Sequence, residues 1–216
     1  MTNSNQIYSF YVKHNRTITI VLGLLVAAGV AGYGYYWYKT RSEYNAQRDF
    51  AESAEDYYKL FASAKAGKAW HDVEQGLAYR AEQNKNSTLA PYFLVYQADA
   101  LLQEGKMAEA LTILNKALGK LDKSSPIYYL YSIKQALIKL DSEQEAERTQ
   151  GVTELDKLST EKDNPYQDMA SYYRGYHAWN VGNKAEARQI WSQMSKFAQQ
   201  GSPWAQLAFV KLQGIA

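Results

Sequence analysis

Apolar positions along this chain follow two different patterns, and the change between them divides it. From Thr17 to Tyr38 no charged residue interrupts the 22-residue run TITIVLGLLVAAGVAGYGYYWY. At 1.5 Å per residue a helix of that length covers roughly 33 Å, enough to cross the hydrocarbon core of a bilayer. Beyond it, apolar residues recur at three- and four-residue intervals, as at Met107, Ala110, Leu111, Leu114, Ala117, Leu118 and Leu121. Ala187, Ile190, Trp191, Met194 and Ala198 repeat the pattern. That period marks amphipathic helices with one buried stripe. No segment alternates as a half-buried strand does. The prediction is an all-α chain: a short tail over 1–16, a transmembrane helix over 17–38, and a helical domain over 39–216.

The helical domain carries regular punctuation. Its prolines stand at 91, 126, 165 and 203, separated by 35, 39 and 38 residues. Three of them follow residues suited to capping, in Ser125-Pro126, Asn164-Pro165 and Ser202-Pro203. A cap followed by proline at the first helical position starts a helix, because proline lacks an N–H that would go unpaired there. The expected units open near 42, 91, 126 and 165, with a terminal helix from 203.

Inside two units the break between helices is visible as well. Gly105 and Gly182 each have a small residue seven positions before, Ala98 and Gly175. Each has alanine five positions after, Ala110 and Ala187, and a large residue nine after, Leu114 and Trp191. In the middle unit Ala136 takes the small position and Leu155 and Leu158 the second helix, while 142–150 is polar and longer. The segment 42–84 is expected to be another helix pair, broken near Gly67. The pattern resembles the tetratricopeptide repeat, whose helix pairs stack side by side and present a concave surface.

The anchor's flanks are basic at both ends. Lys13, His14 and Arg16 precede it, and Lys39 and Arg41 follow it. Tyr33, Tyr35, Tyr36, Trp37 and Tyr38 crowd its exit, where amphipathic rings suit the headgroup layer. A competing reading is a cleaved signal peptide with Gly29-Val30-Ala31 at the cleavage site, but the run exceeds a usual signal core. Nearby Lys and Arg number two before the run and three after, so charge leaves the direction open. Gly23, Ala27 and Ala31, with Ala28 and Gly32 beside them, form a small-residue stripe on which another membrane helix can pack.

Composition narrows the chemistry. A net charge of +2, without a block of like charge, does not suit nucleic acid. The chain has no cysteine, so disulfides, thiolate metal sites and a cysteine nucleophile are excluded. His14, His71 and His177 lie far apart, without metal-ligand spacing. Trp70-His71-Asp72 are neighbours on a helix and do not face one another. Gly32-Tyr33-Gly34 follows no strand and is not a dinucleotide loop. The expectation is a non-enzyme with no cofactor and no metal. The candidate partner-binding residues are aromatic: Tyr92 with Tyr96, Tyr128 with Tyr131, and the stripe Tyr172, Tyr176 and Trp179. On first helices such rings can hold a peptide, or they can fill space between helices.

The whole layout resembles the YfgM-like ancillary subunit family of the bacterial Sec translocon. The resemblance rests on the aromatic exit Gly32-Tyr33-Gly34-Tyr35-Tyr36-Trp37 and on Asn84-Lys85-Asn86 with Thr88. Its most specific part is Arg174-Gly175 followed by Gly182, Lys184, Ala187-Arg188 and Trp191. It implies a cytoplasmic N-terminal tail, a periplasmic repeat domain on the inner membrane, and no catalytic residues. The implied partners are translocon subunits, a membrane-anchored chaperone of the prolyl-isomerase type, and exported polypeptides. A general envelope scaffold without translocon contact is the alternative. Two departures stand out: residues 1–16 contain no acid, and Tyr176 follows Arg174-Gly175 where the family commonly has an acidic residue.

Overall fold

The computed structural model of the chain describes residues 4–63, 68–194, 196–198 and 201–214. It is all-α. The helices are α1 (Ser4–Ala62), α2 (Lys68–Gln83), α3 (Ala90–Gln103), α4 (Met107–Leu118), α5 (Pro126–Leu140), α6 (Glu145–Thr160), α7 (Gln167–Asn180), α8 (Lys184–Met194) and α9 (Pro203–Gln213). Two compact units divide at Asp49 and Phe50.

In the N-terminal unit, the described side chains of the apolar run on α1 are exposed, Leu24, Leu25, Val26 and Val30 among them. This is one helix near the N-terminus, long and apolar enough to cross a membrane. Gly23, Ala27, Ala28, Ala31 and Gly32 are all exposed on it. At the aromatic exit the Arg41 guanidinium lies over the Trp37 ring, 5.6 Å from its centroid. No helix opens near 42. α1 passes that position unbroken, because no glycine or proline occurs between Gly34 and Gly67 to stop it. The predicted break at Gly67 lies outside the described residues; α1 ends and α2 begins on either side of it.

In the larger unit each helix from α2 onward packs on its successor, and α5 also touches α7 as α7 touches α9. Helices therefore pair in sequence, with first helices of the later pairs side by side. The short connections after α3 and α7 turn on Gly105 and Gly182, at φ +77° and +87°. That left-handed conformation is open to glycine without the Cβ penalty other residues meet.

The seams between helices follow the predicted spacing. In the α3–α4 pair Ala98, Ala110 and Leu114 are completely buried. In the α7–α8 pair Gly175 and Ala187 let α8 approach, and Trp191 fills the seam at 2% exposure. Ala136 and Leu155 are completely buried in the middle pair and Leu158 nearly so. There the counterpart of Ala110 and Ala187 is Gly151, which lies four residues before Leu155 as they lie four before Leu114 and Trp191. A Cβ on Gly151 would stand 2.7 Å from the Ala136 carbonyl oxygen. Ala136 and Gly151 are 15 positions apart where the other two pairs have 12, so the polar connection absorbs three extra residues.

The capping scheme needs two corrections. Ser202 caps α9 as expected, accepting from Ala205 N–H. Ser125 precedes Pro126 at the start of α5 without a side-chain cap hydrogen bond. Pro165 lies outside α7, which begins at Gln167. The reason is Asn164, which is buried and fastens the turn instead: its Nδ2 donates to Leu158 O at 2.7 Å, and its Oδ1 accepts from Tyr166 N–H at 2.9 Å. This is an Asx turn tied to the end of α6 rather than a helix cap.

Candidate binding surface

The last part of α1, with α3 and α5, encloses a cleft of about 280 Å³. Tyr57, Tyr58, Phe61, Tyr96 and Tyr131 line it with Val95, Asp99 and Lys134. The rings meet edge to face: Tyr57 and Tyr96 are 5.0 Å apart, Tyr58 and Tyr96 6.2 Å, and Tyr92 and Tyr131 6.5 Å. Phe50 closes the inner side against Phe93 and Tyr96 at 5.2 and 5.4 Å. Such edge-to-face contacts place the positive rim of one ring on the negative face of another. Tyr58 and Tyr96 share a hydrogen bond between their hydroxyls at 3.0 Å.

Among the described residues, the charges lining this cleft belong to Asp99 and Lys134, which form an ion pair joining α3 to α5. Burial raises the Asp99 pKa above 3.8, against the opposing pull of Lys134. Burial, helped by the nearby Asp99 carboxylate, also pushes the Tyr57 phenol up to about 12. Tyr131 rises to about 12 through burial and Tyr92. The cleft thus offers aromatic walls, hydroxyl donors and one acid–base pair. That set can hold a peptide backbone and a side chain of either charge.

A second cleft, of about 450 Å³, lies on the other flank of α5. Leu137, Leu140, Asp141, Arg148, Tyr173, Tyr176, His177 and Val181 contribute to it. Burial, then the Arg174 charge, hold the His177 pKa below 6.5. A folded pKa below the unfolded one means the unfolded chain takes up this proton first. The stability His177 contributes is thus complete above pH 6.5 and lost as pH falls through the folded value. We expect the thermal midpoint to fall further for the wild type than for His177→Gln between about pH 7 and about pH 5. Thermal unfolding at the two pH values checks this; equal falls would remove His177 as the cause.

The aromatic candidates separate into three groups. Tyr92, Tyr96 and Tyr131 join one network with the α1 rings. Tyr128 does not share their surface: it lines a recess with Asn115 of α4, Gln135 of α5 and Glu154 of α6. The Tyr172–Tyr176–Trp179 stripe belongs largely to the α7–α8–α9 seam. Tyr172 is buried and packs on Trp191 and Trp204 at 6.2 and 5.6 Å, and Trp179 packs on Trp191 at 6.1 Å. Lys211 and Lys184 lie over the Tyr176 and Trp179 rings.

Comparison of the chain with protein-family models and with curated proteins returns no match.

Two further features lie outside what the repeat pattern predicts. The α1 rings Tyr57, Tyr58 and Phe61 complete the first cleft, yet they stand outside the regular repeat spacing. His71, Glu74 and Glu104 bring their ligand atoms within 4.8 Å of one another, although Glu104 comes from another helix end. His71-x-x-Glu74 was the local signal, since residues three apart share a helix face.

Proposed function

We propose that this chain is a non-enzymatic, single-pass accessory protein of the bacterial Sec translocon. In this reading the N-terminus is cytoplasmic, the apolar stretch of α1 crosses the inner membrane, and the helix pairs are periplasmic. The small-residue stripe from Gly23 to Gly32 packs on a neighbouring membrane helix, with close backbone approach supplying the contact. The first-helix clefts bind a membrane-anchored chaperone of the prolyl-isomerase type or segments of exported chains.

The observation that carries the binding role is the Tyr57–Tyr58–Tyr96–Tyr131 cleft with its Asp99–Lys134 pair. The resemblance around Arg174-Gly175 supports the choice of setting. Two of its residues, Gly175 and Trp191, face each other across the α7–α8 seam.

Two photo-crosslinking positions test the proposal, Ala27 in the apolar helix and Tyr131 in the cleft. The expected products in living cells are translocon subunits from Ala27, and a chaperone or newly exported chain from Tyr131. Unrelated envelope proteins at both positions would replace this reading with a general scaffold. Protease treatment adds the topology: digestion of 39–216 is expected in spheroplasts but not in intact cells, and protection in spheroplasts would overturn it.

A further inference from the structure

We infer that His71 and Glu74 of α2 and Glu104 at the end of α3 form a binding site for a divalent metal ion of the zinc class. The His71 Nδ1 and Glu104 Oε2 atoms are 3.3 Å apart. Two ligands held about 2.0–2.1 Å from a tetrahedral ion are separated by about 3.3–3.4 Å, so this pair already spans one edge of the coordination shell. A carboxylate oxygen of Glu74 lies within 4.8 Å of both, a separation a rotamer adjustment can close.

The state of Glu104 points to a ligand independently of that spacing. Its side chain is nine-tenths buried, and its Oε1 has no hydrogen-bond partner. Oε1 is the oxygen beside the one that meets His71, and leaving a buried carboxylate oxygen without a partner is costly; an ion held by both Glu104 oxygens satisfies it. Glu104 is also fixed in place: it caps α3 immediately before the left-handed turn at Gly105.

Supporting residues hold the other two ligands. Gln97, itself buried, donates Nε2–H to Glu74 Oε1 at 2.7 Å. With its amide turned so that Oε1 faces the ring, Gln75, 2.9 Å from His71 Nε2, accepts the N–H that this nitrogen carries once Nδ1 takes the ion. Orientation of this kind, by a partner on the far atom of the ligand, is the usual arrangement around protein-bound metals. One imidazole with two carboxylates carries a charge of −2, which a divalent ion neutralises. The donor set of one nitrogen and two oxygens suits borderline Zn²⁺, with water in the fourth position. Lys106 Nζ, 2.8 Å from Glu104 Oε2, supplies positive charge there and competes with the ion. Bound metal would clamp α2 to the end of α3 and so join two successive helix pairs.

The test uses the full-length chain in detergent, purified without a polyhistidine tag, with Co²⁺ as the probe and Zn²⁺ as competitor. The wild type is expected to take up an equimolar amount of Co²⁺, with visible d–d bands of a four-coordinate site that Zn²⁺ abolishes. His71→Gln and Glu104→Gln should each weaken binding about 10-fold or more, and both should lose the rise in thermal midpoint that Zn²⁺ gives the wild type. Lys106→Met removes the competitor but no ligand, so it should bind at least as tightly as the wild type. Circular dichroism of each variant confirms the fold. Absence of the bands from the wild type, bands unchanged in both ligand variants, or weakened binding in well-folded Lys106→Met would overturn the site.

Discussion

Gly175→Ala is expected to destabilise the helical array by about 2–3 kcal/mol, although alanine is the better helix former. A Cβ at this position would lie 2.3 Å from Trp191 Nε1 and 2.7 Å from Cδ1. Those atoms belong to a rigid indole, which has no flexible end to swing aside. The ring is held at 2% exposure, and its N–H donates to Tyr172 O at 3.1 Å. Moving it leaves a buried donor unpaired, worth about 1–3 kcal/mol, and overpacks the seam for a similar amount. The helix-propensity gain of about 1 kcal/mol from glycine to alanine offsets only part of this. Chemical unfolding of the full chain in detergent, followed by circular dichroism, measures the loss. The control is Trp191→Leu, in which the added methyl should cost little; an undiminished cost there would mean that the indole is not what excludes it.

The neighbouring residue should give the second large effect. Arg174 is buried, and its Nε donates to Asp156 Oδ1 at 2.9 Å while Nη2 donates to Glu186 Oε1. One guanidinium thereby ties α7 to the helices on both sides. Removing one partner of a fully buried pair costs about 3–5 kcal/mol. Asp156 and Glu186 keep access to water, at 55% and 36% exposure,, so about 2 kcal/mol is expected for Arg174→Met. Arg174→Lys should recover less than half, because an ammonium lacks the planar fork that serves two carboxylates in different directions. The same unfolding measurement checks both variants. Full recovery by lysine would show that charge alone, without the fork, accounts for the contribution.

Much of this architecture was legible because close packing leaves a periodic trace. Ala98, Ala110 and Leu114, like Gly175, Ala187 and Trp191, stand where small and large residues must alternate for two helices to meet. Gly151 escaped notice because three extra residues shift it out of register with its counterparts. Pro165 misled because Asn164 spends its side chain on Leu158 and Tyr166, leaving none to cap α7. The expected opening near 42 was an error of a different kind, since the stretch after Gly34 contains nothing that stops a helix. The candidate surface was only partly legible. Helical spacing groups rings by face, but it cannot tell which face meets a neighbour. Tyr172 was therefore indistinguishable from Tyr96, and Glu104 had no sequence link to His71.

The thin middle pair has a consequence for how the array comes apart. Stability in such stacks is passed from neighbour to neighbour, so the weakest junction sets how far cooperativity extends. α6 buries only Gly151, Leu155 and Leu158, and much of its hold is polar. Lys139 reaches Glu154 at 2.5 Å, and Arg148 reaches the Ser142 and Glu143 carbonyls at 2.8 Å. Water and salt weaken ties of that kind more than they weaken the apolar seams on either side. Salt therefore acts as a selective solvent for this array: it should loosen the hold of α6 while leaving the apolar seams on either side closed.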